Sequence, residues 1–194
     1  MNIERRESVL RIEQDEVVFE GRFSTTTQRH FTNTRDGKHG VWEVFSRKGA
    51  TGRVVGVLGV TSAFDAVLVN IYRVPLRAWV VSLVYGGCMS GESETQTAQR
   101  EFQEETGYVI NEPRLLFAGP FAPGVMADEM SVFVGFGATP SGAASCDVAE
   151  DIDILVLPLR DATKELASLS LSGKALVDVK VFGALYATKE ICGL

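Results

Sequence analysis

The segment 86–108, GGCMSGESETQTAQREFQEETGY, gathers the residues best suited to chemistry. Glu101, Glu104 and Glu105 follow Glu92, with Arg100 beside them and no lysine interleaved. On a helix, at about 100° per residue, Glu101, Glu104 and Glu105 share an arc of roughly 100°. Like charges at that spacing repel by about 0.2–0.5 kcal/mol per pair. A solvated acidic face is one reading of such a helix. The other is a cation site: clustered carboxylates are hard oxygen ligands that suit Mg²⁺ or Mn²⁺, with water completing the octahedron. Arg100 cannot neutralise every carboxylate, and it is expected to pair with Glu92 and fix the loop before the helix.

The elements that must hold these residues are legible in outline. A chain of 194 residues, 45% hydrophobic and 23% charged, implies one domain with a real core and an N-terminal extension. We place the extension at residues 1–50 and the main domain at 51–194. The first fifty residues read as β, with TRDGKHG as a turn. RVVGVLGV, AVLVNIYRV and AWVVSLVY read as strands that lead into the glutamate segment. Ser93 and Gln96 have capping-box spacing, Gly107 fits a left-handed C-terminal cap, and Ala98 and Phe102 can face a core. RLLFAGPF, MSVFVGFG and IDILVLPL are expected strands, and PSGAASCDVAED an intervening loop. A turn of helix is expected near RDATKEL, then a helix over Lys174–Glu190 with Leu176, Val179, Phe182, Gly183 and Tyr186 near helical spacing. This order implies a mixed sheet with helices on its faces, an α/β or α+β fold.

Several partners are disfavoured. The net charge is −6 and no Lys/Arg cluster stands out, so nucleic acid is not an expected partner. No apolar run approaches the roughly 20 residues that span a bilayer, and the charged start MNIERRESVLRIEQ lacks a signal-peptide core. Cys88, Cys146 and Cys192 form no CxxC pair, which fits a reducing, cytoplasmic setting and no zinc site.

The spacing in segment 86–108 decides between the two readings of the helix. Gly86, five residues, Glu92, seven residues and then Arg100-Glu101-Phe102-Gln103-Glu104-Glu105-Thr106-Gly107-Tyr108 resembles the Nudix box without a gap. The resemblance implies the Nudix α/β/α sandwich and hydrolysis of a diphosphate joined to a further moiety. It implies a bound Mg²⁺ or Mn²⁺ held by Glu101 and Glu105, with Glu104 as a further ligand and the Tyr85 carbonyl contributing.

The flanks resemble the branch that cleaves ADP-ribose and nucleoside diphosphate sugars. The carrying residues are Trp42-Glu43-Val44, Tyr72-Arg73-Val74-Pro75 and Pro123-Gly124. By that resemblance Phe23 and Trp42 stack the base, Arg73 contacts phosphate, and Pro123 and Glu129 lie on the substrate side. Glu150 is the matching base or further metal ligand, with Asp147, Asp151 and Asp153 as rivals, and Arg100 and Glu104 complete the catalytic set. Branch members are commonly homodimers that exchange N-terminal β segments, and the extension here is compatible with that. One departure stands out. Where the family has a glutamate and an alanine before the box, this chain has Ser82 and Tyr85, so Ser82 offers the substrate only a short hydroxyl. The expected activity is release of a nucleoside monophosphate and a sugar phosphate. The alternatives are a Nudix hydrolase of another nucleoside diphosphate derivative, and a non-catalytic module that binds ADP-ribose.

Overall fold

The computed structural model describes residues 6–48, 53–145 and 150–194. The chain divides into two compact units: Met1–Gly52 with Pro120–Asp128, and Arg53–Gly119 with Glu129–Leu194.

The first unit is an antiparallel meander of β1 (Leu10–Glu20), β2 (Ser24–Asn33) and β3 (His39–Arg47). Its Thr-, Val- and Phe-rich strands suit a pleated sheet. β1 is exposed along its whole length, and Val17, Val18 and Phe19 lie open to solvent. Segment 120–128 latches onto β3. Phe45 N–H donates to the Val125 carbonyl at 2.7 Å, and Arg47 Nε meets Asp128 Oδ2 at 3.0 Å.

The second unit holds β4 (Arg53–Val60), β5 (Asp65–Arg73), β6 (Ala78–Ser82), β7 (Val84–Gly87), α1 (Glu94–Thr106), β8 (Tyr108–Val109), β9 (Arg114–Pro120), β10 (Glu129–Phe136), β11 (Thr139–Pro140), β12 (Ile152–Pro158), α2 (Leu159–Leu171), β13 (Leu176–Val177) and α3 (Val179–Cys192). Its eight-stranded mixed sheet runs β13-β6-β5-β4-β10-β9, with β12 on β5 and β7 on β4. β10 runs parallel to β4 in unbroken register from Glu129↔Arg53 to Phe136↔Val60. β4 and β5 pair only at Gly59↔Val67 and Val60↔Ala66. Beyond that pair the two strands part, and β6 takes the freed edge of β5 while β7 takes that of β4. The expected single strand AWVVSLVY is therefore two, broken at fully buried Leu83.

This opening positions the glutamate helix. Val55, Val57 and Val84 form one core with Ala98 and Phe102 of α1. A Cβ on Gly59 would collide with the Phe102 ring, so the absent side chain is what lets α1 lie so close to β4. On α1 the Ser93 Oγ accepts Gln96 N–H at 3.2 Å and Gln96 Oε1 accepts Ser93 N–H at 2.9 Å, the reciprocal pair expected from the sequence. Gly107 closes the helix at φ 69°.

The C-terminal reading needs correction. Residues 174–178 are not helical: Leu176 and Val177 pair with β6, and Asp178 caps α3, which begins at Val179. The buried face is Val181, Ala184, Leu185 and Thr188, whereas Val179, Gly183 and Tyr186 are exposed. Apolar residues surround this helix on several sides, so periodicity alone misplaced its phase. α2 is also longer than the single turn expected near RDATKEL. No helix among the described residues is long and apolar enough to cross a membrane.

Candidate active site

Arg100 organises the glutamates of the second unit. Its Nε meets Glu92 Oε1 at 2.8 Å and its Nη2 meets Glu92 Oε2 at 2.9 Å, the pairing the sequence implies. Its Nη1 also reaches Glu101 Oε1 at 2.7 Å and Glu104 Oε2 at 3.1 Å. Glu92 is fixed further by Met89 N–H at 3.2 Å and the Thr97 hydroxyl at 2.9 Å, so it ties the loop to the helix. The Arg100 guanidinium, with these two donors, holds the Glu92 carboxyl down to about 2.

The other carboxylates move the opposite way. Glu105 is 5% exposed. Burial raises its carboxyl to about 8, and the nearby charges of Glu150 and Glu101 add to the rise. Burial also raises Glu101, against the pull of Arg100 and with repulsion from Glu104 and Glu150. Glu101 lies on the backbone of β7 so closely that any Cβ on Gly86 would occupy the space of its carboxylate. The Tyr85 backbone amide works against that rise at Glu105.

These features fit a hard divalent cation. Like-charged oxygens are gathered in a partly dry place, and a cation there would relieve both the repulsion and the burial cost. Among the described residues no three acidic, histidine or cysteine side chains already form a cage. Arg100 Nη1 stands between Glu101 and Glu104 and occupies an oxygen of each.

The remaining sequence candidates fall as follows. Arg73 ends β5, and its positive charge acts on both Glu105 and the Tyr85 phenol. Among the described residues at this loop, the charge of Glu150 reaches Glu101 and Glu105. Asp151 is exposed and its carbonyl accepts Tyr72 N–H, Asp153 pairs with Asn70, and Asp147 lies outside the described residues. Ser82 is 1% exposed, so its hydroxyl lies within the protein. Glu129 opens β10 and is exposed.

In the first unit, Trp42 Nε1 donates to the Gly124 carbonyl at 2.8 Å. Trp42 and Pro123 line a cavity of about 300 Å³ with Arg29, Phe31 and Val125. Phe23 is 72% exposed, carries the Arg22 guanidinium 5.0 Å from its ring centre, and does not line that cavity. Sequence reasoning missed Asp178 and Lys180, which surround the Tyr85 ring. An aspartate directly before an apolar segment is an N-cap signal that could have marked the first of them.

Known proteins resemble this chain in sequence and in fold. The model of the NUDIX domain matches residues 50–170. A methanol dehydrogenase activator of Bacillus methanolicus is 32% identical over 56% of this chain and 59% of its own length. An ADP-ribose pyrophosphatase of Bacillus subtilis (strain 168) is 29% identical over 69% of this chain and 70% of its own. A putative nudix hydrolase 2 of Caenorhabditis elegans is 34% identical over 54% and 52%. The chain thus spans less than two thirds of the first and third of these relatives. A crystal structure of an ADP compounds hydrolase superposes with a TM-score of 0.79 over 96% of both chains at 20% identity, a likeness of fold. A capped glutamate helix laid on the opening of a mixed sheet, within a segment that the family model spans, places this chain in the Nudix family.

Proposed function

We propose that the chain is a divalent-metal-dependent pyrophosphohydrolase of nucleoside diphosphate sugars, with ADP-ribose the first candidate. One observation carries the reading: buried Glu105 lies within the fields of Glu101 and Glu150, an arrangement unfavourable to a metal-free carboxylate. The match to an ADP-ribose pyrophosphatase supports the choice of substrate.

Glu101, Glu104, Glu105, Glu150 and the Tyr85 carbonyl would hold Mg²⁺ or Mn²⁺. The bound cation would supply charge neutralisation of the diphosphate and a more acidic water. Arg100 keeps the glutamates in register through Glu92. Arg73 offers a guanidinium fork to phosphate oxygens. Glu150 takes the proton from the attacking water, whose oxygen bonds to one phosphorus as the bridging P–O bond breaks. Nucleoside monophosphate and sugar phosphate leave. Phe23 and Trp42 serve the base, with Pro123 and Glu129 on the substrate side. Ser82 takes the place of the glutamate that the family has on the sugar side, with a short, buried hydroxyl. The exposed apolar residues of β1 support a homodimer with exchanged N-terminal strands. Free thiols at Cys88 and Cys192 support a cytoplasmic setting.

The test is a panel of nucleoside diphosphate sugars with Mg²⁺ or Mn²⁺. Nucleoside monophosphate should be released, and Glu105→Gln should lower turnover by about 10²–10³. Wild-type protein that binds ADP-ribose tightly yet cleaves no diphosphate would overturn the reading.

A further inference from the structure

The side chain of Tyr85 is left unused by the hydrolytic reading. Along β7 successive side chains alternate between faces. Val84 and Gly86 meet α1, through the shared core and through Glu101 respectively. Tyr85 between them points to the other face, where its ring covers Gly56 of β4 so closely that a Cβ there would stand 2.8 Å from Cε1. The phenol donates to Asp178 Oδ2 at 3.0 Å. Asp178 is fixed on its own account. Its N–H donates to the Val81 carbonyl at 2.9 Å, and its Oδ1 accepts Lys180 N–H at 2.9 Å as the cap of α3. Lys180 Nζ reaches the same carboxylate at 3.2 Å and stands 5.9 Å from the Tyr85 ring centre.

The β7 backbone therefore backs the glutamate face at Gly86, where Glu101 lies, while the Tyr85 side chain is clamped on the opposite face. A carboxylate packed on a strand backbone is only as well placed as the residue that anchors that backbone. We propose that Tyr85 is a positioning residue: its phenol, tied to Asp178 at the start of α3, fixes the β7 backbone on which Glu101 lies and so sets cation affinity and turnover without touching substrate. The kinetic side of this inference rests on the pyrophosphohydrolase reading, whereas its cation-binding side rests on the donor set alone.

The experiment titrates Mn²⁺ into the full chain by electron paramagnetic resonance and measures steady-state cleavage of ADP-ribose, for wild type, Tyr85→Phe, Asp178→Asn, Asp178→Ala and the double variant Tyr85→Phe/Asp178→Ala. Tyr85→Phe keeps the ring and loses only the hydroxyl. It should weaken Mn²⁺ binding about tenfold and lower kcat by a similar factor, with KM nearly unchanged. Asp178→Asn, whose amide oxygen still accepts from the phenol and caps α3, should retain most of the wild-type affinity. Asp178→Ala should match Tyr85→Phe, and the double variant should be no worse than either, since both remove one link. Wild-type Mn²⁺ affinity in Tyr85→Phe, or additive losses in the double variant, would overturn the proposal. A wild type that binds Mn²⁺ but cleaves nothing would instead overturn the hydrolase reading, and the Mn²⁺ comparison would still decide the role of Tyr85.

Discussion

Arg100 grips Glu92 with two prongs, Nε to Oε1 at 2.8 Å and Nη2 to Oε2 at 2.9 Å, and extends its remaining nitrogen to Glu101 and Glu104. The residue that fixes the loop thus also spaces the carboxylates. The Glu92 carboxyl is held near 2, below its ordinary 4.5. Its stabilising contribution is complete above pH 4.5 and disappears as pH falls toward 2. Glu92→Gln should lower Tm at pH 7, with the curves of variant and wild type converging near pH 2. A pH series of thermal melts checks this.

Glu105 gives the opposite dependence. Its carboxyl is raised to about 8 from 4.5, so between those values the folded chain keeps a proton that the unfolded chain releases. Metal-free protein should lose stability as pH rises from 4.5 through 8. Glu105→Gln should flatten that slope. Mn²⁺ affinity should rise by up to about tenfold per pH unit below 8, because binding expels the proton. Melts with and without Mn²⁺ at several pH values would show both effects.

Gly86→Ala places a methyl group where the Glu101 carboxylate lies. Displacing a ligand by about 1 Å can cost on the order of 10²-fold in rate. We expect a loss of about that size in kcat/KM for ADP-ribose, with Mn²⁺ affinity reduced and far-ultraviolet circular dichroism unchanged. Retained activity would show that Glu101 can leave the β7 backbone and still function.

Phe102 is fully buried between α1 and β4. Phe102→Ala should cost about 3–5 kcal/mol in urea unfolding. Gly59→Ala, which drives a Cβ into the same ring, should cost about 1–3 kcal/mol.

Trp42→Phe removes the Nε1 bond to the Gly124 carbonyl while keeping an aromatic ring. If Trp42 serves the base, KM for ADP-ribose should rise by about tenfold or less, with kcat nearly unchanged. An unchanged KM would remove Trp42 from the proposed base contacts.

How much of this the sequence revealed depends on the range of the interactions. α1 was legible to its caps because a capping box and a left-handed glycine are local signals, satisfied within a few residues of chain. The pairing of Arg100 with Glu92 was legible for the same reason. The first residues of α3 were misread because strand pairing of Leu176 and Val177 with Val80 and Val81 overrode local helical spacing. The break at Leu83 was not visible because it follows from the parting of β4 and β5, which no single segment encodes.

By itself the sequence determined the family pattern and the carboxylate helix, because those depend on residue types at fixed short spacings. Only the tertiary structure decided which charges Glu105 feels, that Ser82 is turned inward, and that Tyr85 is held by Asp178 from across the sheet. Burial and through-space Coulomb forces act between residues as far apart in the chain as 85 and 178, so packing alone brings such groups together.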